Sequence, residues 1–451
     1  MTDSPILWQG DWLGLRPLFY NRVTGRYSAK LMDVVDFDAF DWSPSGLRAY
    51  LECGYCALRH TPVRDVLFLG ANETFALDRE GRPIIGHLED PALAWLERTT
   101  NERALVQYME HAVHAWEHRQ EGTIVVPTSG GYDSRMLNLF LTDPSRAHAF
   151  TYGISSRQER SFETVYARTA CERLGIRWDH VPLGNYHAHL DEWDNIFGPA
   201  THAHGMYHME FYDKIRLSEP TATAFLSGII GDGFAGKVRV PPLRSPSDVK
   251  TLFLTHGLNA DAKSCLLPQG FNLFEIYFEE KKRFWEYESY RILELLRNKL
   301  MLLRYLFVIP EHYGFQPWSP FLDVTAAMGM LQLPSERRHN RRWQKELFRA
   351  RRLDLEAEHI SVDYENTLNL QAQLIHPVPP LDARLLGEII RPDYVEWCNT
   401  VLHSFTRGNT RLSLEGVLKA YNAYLTLRPL ERLIQKRDAT LACRANAAPS
   451  R

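Results

Sequence analysis

Residues 122–140, GTIVVPTSGGYDSRMLNLF, constrain the fold of this chain more than any other stretch. Thr123, Ile124, Val125 and Val126 are all β-branched, and such side chains favour extended backbone. A turn with two adjacent glycines follows. Beyond it Tyr132, Met136, Leu137, Leu139 and Phe140 recur at helical spacing. A strand that turns directly into a helix predicts one unit of a parallel sheet, because parallel strands need a crossover to join them.

The turn itself, S-G-G-Y-D-S, predicts an anion site. Gly130 and Gly131 let the backbone approach a ligand, Ser129 and Ser134 add hydroxyl donors, and the helix N-terminus adds a favourable field. Asp133 is misplaced beside phosphates unless a cation such as Mg²⁺ neutralises them. The bland alternative is a plain strand–turn–helix. No lysine follows the second glycine, so this is not the Gly-Lys-Ser/Thr phosphate loop, and it is not G-x-G-x-x-G.

Other β-like runs follow at AHAFTYG, WDHVPL and TAFLSGII, with the helical run SFETVYARTACERLG between the first two. This alternation predicts an α/β fold, a parallel sheet with helices on both faces. Ser156 and Glu159 have capping-box spacing for that helix, and Gly175 suits its C-terminus. Residues 1–91 read as short strands with turn punctuation, a β-rich unit. Residues 92–440 read as the main domain, mostly helical beyond Pro241, with breaks at RVPPLRSPSD and along the polar stretch 354–384. Residues 441–451 read as a frayed, flexible tail.

At 451 residues two domains are expected, and 45% hydrophobic content supports a sizeable core. A net charge of -3 gives no case for a nucleic-acid surface. The run RILELLRNKLMLLRYLFVIP carries too many charges to span a membrane, and MTDSPILWQG has no signal-peptide pattern. Scattered cysteines fit free thiols in a reducing, cytoplasmic compartment.

Several segments together resemble the asparagine synthetase branch of the ATP pyrophosphatases, whose pyrophosphate (PP) loop is S-G-G-x-D-S. LGLRPLFY (13–20) is similar to a glutaminase-domain motif of that family. LRAYLECGYCALRHTPVRDVLFLGANETFALD resembles its inter-domain stretch, and SFETVYARTACERLGIRWDHVPL its next helix and strand, with Glu163 at an acidic position. LSGIIGDGFAG resembles its second motif, and PFLD matches as it stands. The resemblance covers about residues 13 to 350. It implies adenylation of a carboxylate by ATP, release of pyrophosphate, and transfer to nitrogen to form an amide. The implied cofactors are ATP and Mg²⁺. Ser129, Gly130, Gly131, Asp133, Ser134, Ser227 and Gly228 would bind the nucleotide and adenylate, and Asp133 and Asp232 the metal. Asp232 alone would read as a turn residue. Asp323 reads equally as a helix-start aspartate.

The sequence also departs from the family. It begins Met1-Thr2-Asp3 without a cysteine nucleophile, so residues 1–91 are expected to be a truncated glutaminase-like remnant. Nitrogen would then come from ammonia, an amine, or a separate glutaminase. Ile229 and Ile230 replace a glutamate and a glycine, which points to an acceptor other than, or not limited to, aspartate. Short relatives of this kind resemble proteins that amidate uronic-acid sugars of surface polysaccharides. A peptide cyclase and a non-catalytic nucleotide-binding scaffold are the alternatives. The family's catalytic lysine is missing. Lys345 and Arg349, one helix turn apart within ERRHNRRWQKELFRARR, are candidate replacements together with Lys237, Arg341 and Arg342, though such a run also reads as a solvated face. His202, His204 and His208 are expected to line a pocket rather than bind metal. Cys53-Gly-Tyr-Cys56 reads as a strand-end loop.

Overall fold

The computed structural model describes residues 4–255, 257–409 and 411–447. Short strands dominate the N-terminal part: β1 (Trp8–Gln9), β2 (Leu18–Asn21), β3 (Tyr27–Ser28), β4 (Val66–Leu69), β5 (Glu73–Leu77) and β6 (Pro83–His87). They pair antiparallel into two sheets, β1-β5-β6 and β3-β2-β4. The sequence predicts only short strands with turns here, but the unit also holds a helix. Ser43 caps a helix, Pro44–Cys53, whose first residue is a proline already set for helical φ. Cys53-Gly-Tyr-Cys56 is therefore a helix end, and both cysteines are buried.

The β-branched run forms β7 (Ile124–Pro127). With β8 (Ala147–Thr151), β9 (Arg177–His180), β10 (Ala224–Leu226) and β11 (Gln316–Trp318) it builds a five-stranded, all-parallel sheet ordered β11-β10-β7-β8-β9. β11 was hidden in sequence by Pro317. A proline is tolerated there because the strand lies at the sheet edge. The helix after β8 runs Phe162–Leu174 and ends at Gly175, whose φ of 69° is the left-handed closure. Its cap is Ser161; Ser156 and Glu159 do not form the expected box.

The chain steps from β7 to β8 to β9 in one direction, then returns past β7 to β10 and β11. Right-handed crossovers put the connecting helices on opposite faces before and after that reversal. A sheet of this kind opens a crevice at the carboxyl ends of the two strands where direction reverses, here β7 and β10.

The N-terminal unit shares a continuous hydrophobic core with the rest of the chain. Trp12 donates from Nε1 to the Leu322 carbonyl at 2.8 Å, and Arg297 joins the Trp12 carbonyl to Asp90. Trp12 also stacks on Phe234, in the helix Gly231–Ala235 that carries Asp232. The C-terminal helix runs Leu414–Ala447, well into the expected tail. No helix among the described residues is long and apolar enough to cross a membrane.

Candidate functional site

A cavity of about 710 Å³ opens at the β7/β10 crevice. The loop after β7 supplies Ser129, Gly130, Gly131, Asp133 and Ser134; the loop after β10 supplies Ser227, Gly228 and Asp232. The two loops touch: a Cβ on Gly228 would lie 3.0 Å from the Ser134 nitrogen and 3.2 Å from the Asp133 Cβ. All eight residues expected to bind nucleotide or metal therefore line one space.

The helix Tyr132–Phe140 begins at Gly131 with no side-chain cap, so its first N–H groups are open to a ligand. Gly130 has φ 69°, and a Cβ there would meet the Tyr166 Cβ at 2.7 Å and the Glu163 carbonyl at 2.8 Å. Only glycine fits. Ser129 and Ser134 hydroxyls lie 3.4 Å apart, weakly engaged and able to turn toward an anion.

Arg135, fully buried, fixes the loop from behind. Its Nη2 donates to the Gly130 carbonyl at 2.5 Å and its Nη1 to the Leu353 carbonyl at 2.9 Å, while Glu356 accepts from both at 2.9 and 3.0 Å. Tyr132, Tyr166 and Phe348 surround the guanidinium. Sequence reading missed Arg135, although an arginine on an apolar helix stripe is a visible signal.

Asp133 is pushed up to about 7 by burial and by the charge of Asp232, against opposing effects of Gln344, Arg341 and Lys237. Gln344 Nε2 donates to Asp133 Oδ1 at 3.2 Å, and Lys237 Nζ lies 3.4 Å from Asp232 Oδ2. Two mutually repelling oxygen donors fit a hard divalent cation. Asp133 and Asp232 are the residues that would hold Mg²⁺. No group of three or more metal-ligating side chains occurs among the described residues, so further ligands would come from phosphate and water.

The structure separates the candidate cations. Lys237 and Arg341 line the cavity. Lys345 lines a different, shallow pocket, and Arg349 is exposed and paired with Asp354 at 3.1 Å. Neither reaches the loop, although both stand on the helix Arg342–Ala350 as expected. Asn340 and Arg341 take φ of 50° and 54°, breaking the helical run so that Arg341 turns over the Tyr132 ring, 4.2 Å from its centroid. Asp323 caps the helix Val324–Leu331 and accepts from Thr325 and Ala326 nitrogens. It does not line the cavity.

Glu163 lines the cavity with Oε2 unpartnered, and burial pushes its carboxyl up to about 7. Ile230 is held at φ 52° and is buried. A β-branched residue there is strained, because its side chain crowds the following carbonyl. The polar stretch 354–384 does interrupt the helical run, with no helix among the described residues between Glu358 and Leu368 or between Ile375 and Ala383, and its residues Glu356, Tyr364, Asn366 and Asn369 line the cavity.

His204 and His208 also line the cavity, as expected, but His202 lies behind them. Burial holds His204 and His208 down at about 4 and about 3, so both imidazoles are neutral at pH 7. No protein-family model matches this chain, and no curated protein matches it.

Proposed function

We propose that this chain is an ATP-dependent ligase of the asparagine-synthetase type, which adenylates a carboxylate and forms an amide. One observation carries the reading: an uncapped helix N-terminus behind a glycine-serine loop meets a facing carboxylate pair at the crevice of a parallel sheet.

In this reading a carboxylate oxygen attacks the α-phosphorus of ATP. The bond from that phosphorus to the bridging oxygen breaks, and pyrophosphate leaves. A nitrogen lone pair then attacks the acyl carbon, AMP departs with the C–O bonding pair, and the nitrogen loses a proton. The backbone N–H groups of 130–134 and the hydroxyls of Ser129 and Ser134 hold the pyrophosphate. Arg341 and Lys237 stabilise its growing charge. Mg²⁺ bound by Asp133 and Asp232 would neutralise phosphate charge.

Cys53 and Cys56 are buried, and burial pushes both thiols well above the ordinary range. Neither supports a nucleophilic thiolate. The N-terminal unit is read as packing, and the nitrogen as free ammonia or an amine on a second substrate. Unpaired buried cysteines also suit a reducing compartment such as the cytoplasm.

The test is exchange of labelled pyrophosphate into ATP with Mg²⁺ across a panel of carboxylates. Exchange that depends on one carboxylate is the expected result. Silence across the panel, with ATP shown to bind, would count against the reading and favour a scaffold.

A further inference from the structure

The charged, leucine-rich run 291–310 buries more than its apolar residues. Among the described residues five arginines are buried, and four of them are hydrogen-bonded. Arg135, Arg338 and Arg428 hold carboxylates, and Arg291 holds three backbone carbonyls. Arg304 is the exception. It is 4% exposed with Nε unpartnered, and no hydrogen bond or ion pair engages its guanidinium among the described residues.

Arg304 stands at the joint between the helices Glu288–Leu303 and Tyr305–His312. Its guanidinium lies against Phe19 of the N-terminal unit and against Phe197, 5.5 and 5.2 Å from the ring centroids. The rings offset part of the charge and accept hydrogen bonds only weakly. Cys56 is close enough to act on Arg304, but it is no counter-ion: burial pushes its thiol up, and Sγ donates to the Pro199 carbonyl at 3.3 Å. Asp194 is turned to Arg428, 3.5 Å from its Nε. Burial pulls Arg304 down only to about 10, so it is charged at pH 7. Trp193, whose ring centroid is 4.3 Å from that of Phe197, is a second buried donor without an acceptor.

We propose that Arg304 holds a buried monatomic anion, of the size of chloride, where the N-terminal unit meets the rest of the chain. A buried charge with no partner is strongly destabilising, and water supplies hydrogen bonds without supplying the opposite charge. A carboxylate needs donors for two oxygens, whereas two rings and a committed thiol surround this guanidinium. A halide needs only the one fork. Phe19, Phe197 and Cys56 are all buried, which favours the smallest anion. The ion would tie Phe19 to the segment just before Tyr305, which lines the cavity. Its role is to hold that junction together, and it does not depend on the ligase reading.

Thermal unfolding of the full chain in the sodium salts of chloride, bromide, formate and gluconate, at one ionic strength, tests the site. Against gluconate, chloride and bromide should raise Tm saturably, by about 3 °C at one hundred times the Kd. Arg304→Met removes the charge and keeps an apolar chain in place. It should lose that shift and unfold no earlier than the parent in gluconate. Crystals of the parent soaked in bromide should show an anomalous peak at the guanidinium, which tests the site even where the variant fails to fold. A shift with formate alone would replace the halide with a carboxylate and overturn the proposal. Equal shifts in all four salts, or an undiminished halide shift in Arg304→Met, would overturn the site. So would a bromide map with no peak at Arg304.

Discussion

Arg135 Nη2 lies 2.5 Å from the carbonyl oxygen of Gly130, and through that bond a fully buried guanidinium sets the backbone of the anion loop. Lysine cannot reproduce the fork that also holds Leu353 and Glu356. Arg135→Lys should cost about 3 kcal/mol in urea unfolding and weaken ATP binding measured calorimetrically. Unchanged ATP affinity in a folded variant would separate the loop from its buttress.

Asp133→Asn should abolish Mg²⁺-dependent turnover and leave the protein folded. With Mg²⁺ at about one hundred times its Kd the parent gains about 2.7 kcal/mol of stability, and the variant should gain almost none. Thermal shift titrations with Mg²⁺ read this directly. A full shift in the variant would remove Asp133 from the metal site.

Arg341→Met should lower pyrophosphate exchange by about 10²-fold, and Lys237→Met should lower it in the same direction. Lys345→Met and Arg349→Met should stay within about twofold of the parent, because neither side chain lines the cavity. The opposite ranking would place the transition-state cation on the helix Arg342–Ala350.

Glu163 carries a carboxyl raised to about 7 when folded, against an ordinary value of 4.5. The folded state therefore binds more protons than the unfolded one between these values. This group's contribution is most favourable below about pH 4.5 and is lost as pH rises to about 7, a span worth about 3 kcal/mol. Glu163→Gln should be less pH-sensitive than the parent over that range, by urea unfolding at matched pH. Parallel curves would refute the shift.

Ile230 sits at φ 52°, where any side chain is strained and glycine is not. Ile230→Ala and Ile230→Gly both lose the buried side chain, but only glycine relieves the backbone. The glycine variant should be the more stable by about 1 kcal/mol, reversing the usual order of the two residues. Chemical denaturation of the pair decides it.

The positions of β7, β8, β9 and β10 were legible because local signals carry them: β-branched runs, a glycine closure at Gly175, and helical spacing between strands. β11 was not, because Pro317 argues against a strand unless its edge position is known. The anion loop was legible for the same local reason, since glycine pairs and hydroxyls specify backbone approach within six residues. Lys345 and Arg349 do stand one turn apart on a helix, as their spacing predicts. Spacing does not say which way that helix faces, and two left-handed residues, Asn340 and Arg341, redirect the chain just before it.

The sequence by itself determined the βα unit at 122–140, the parallel α/β class, and which loop residues are suited to an anion. These follow from backbone preference and short-range spacing. Only the tertiary structure decided that Asp232 faces Asp133, that Arg341 and not Lys345 lines the cavity, and that Glu356, Tyr364, Asn366 and Asn369 of the polar stretch line it too. Each of these joins elements far apart in the chain, and local preference carries no information about which distant side chains a crossover brings together.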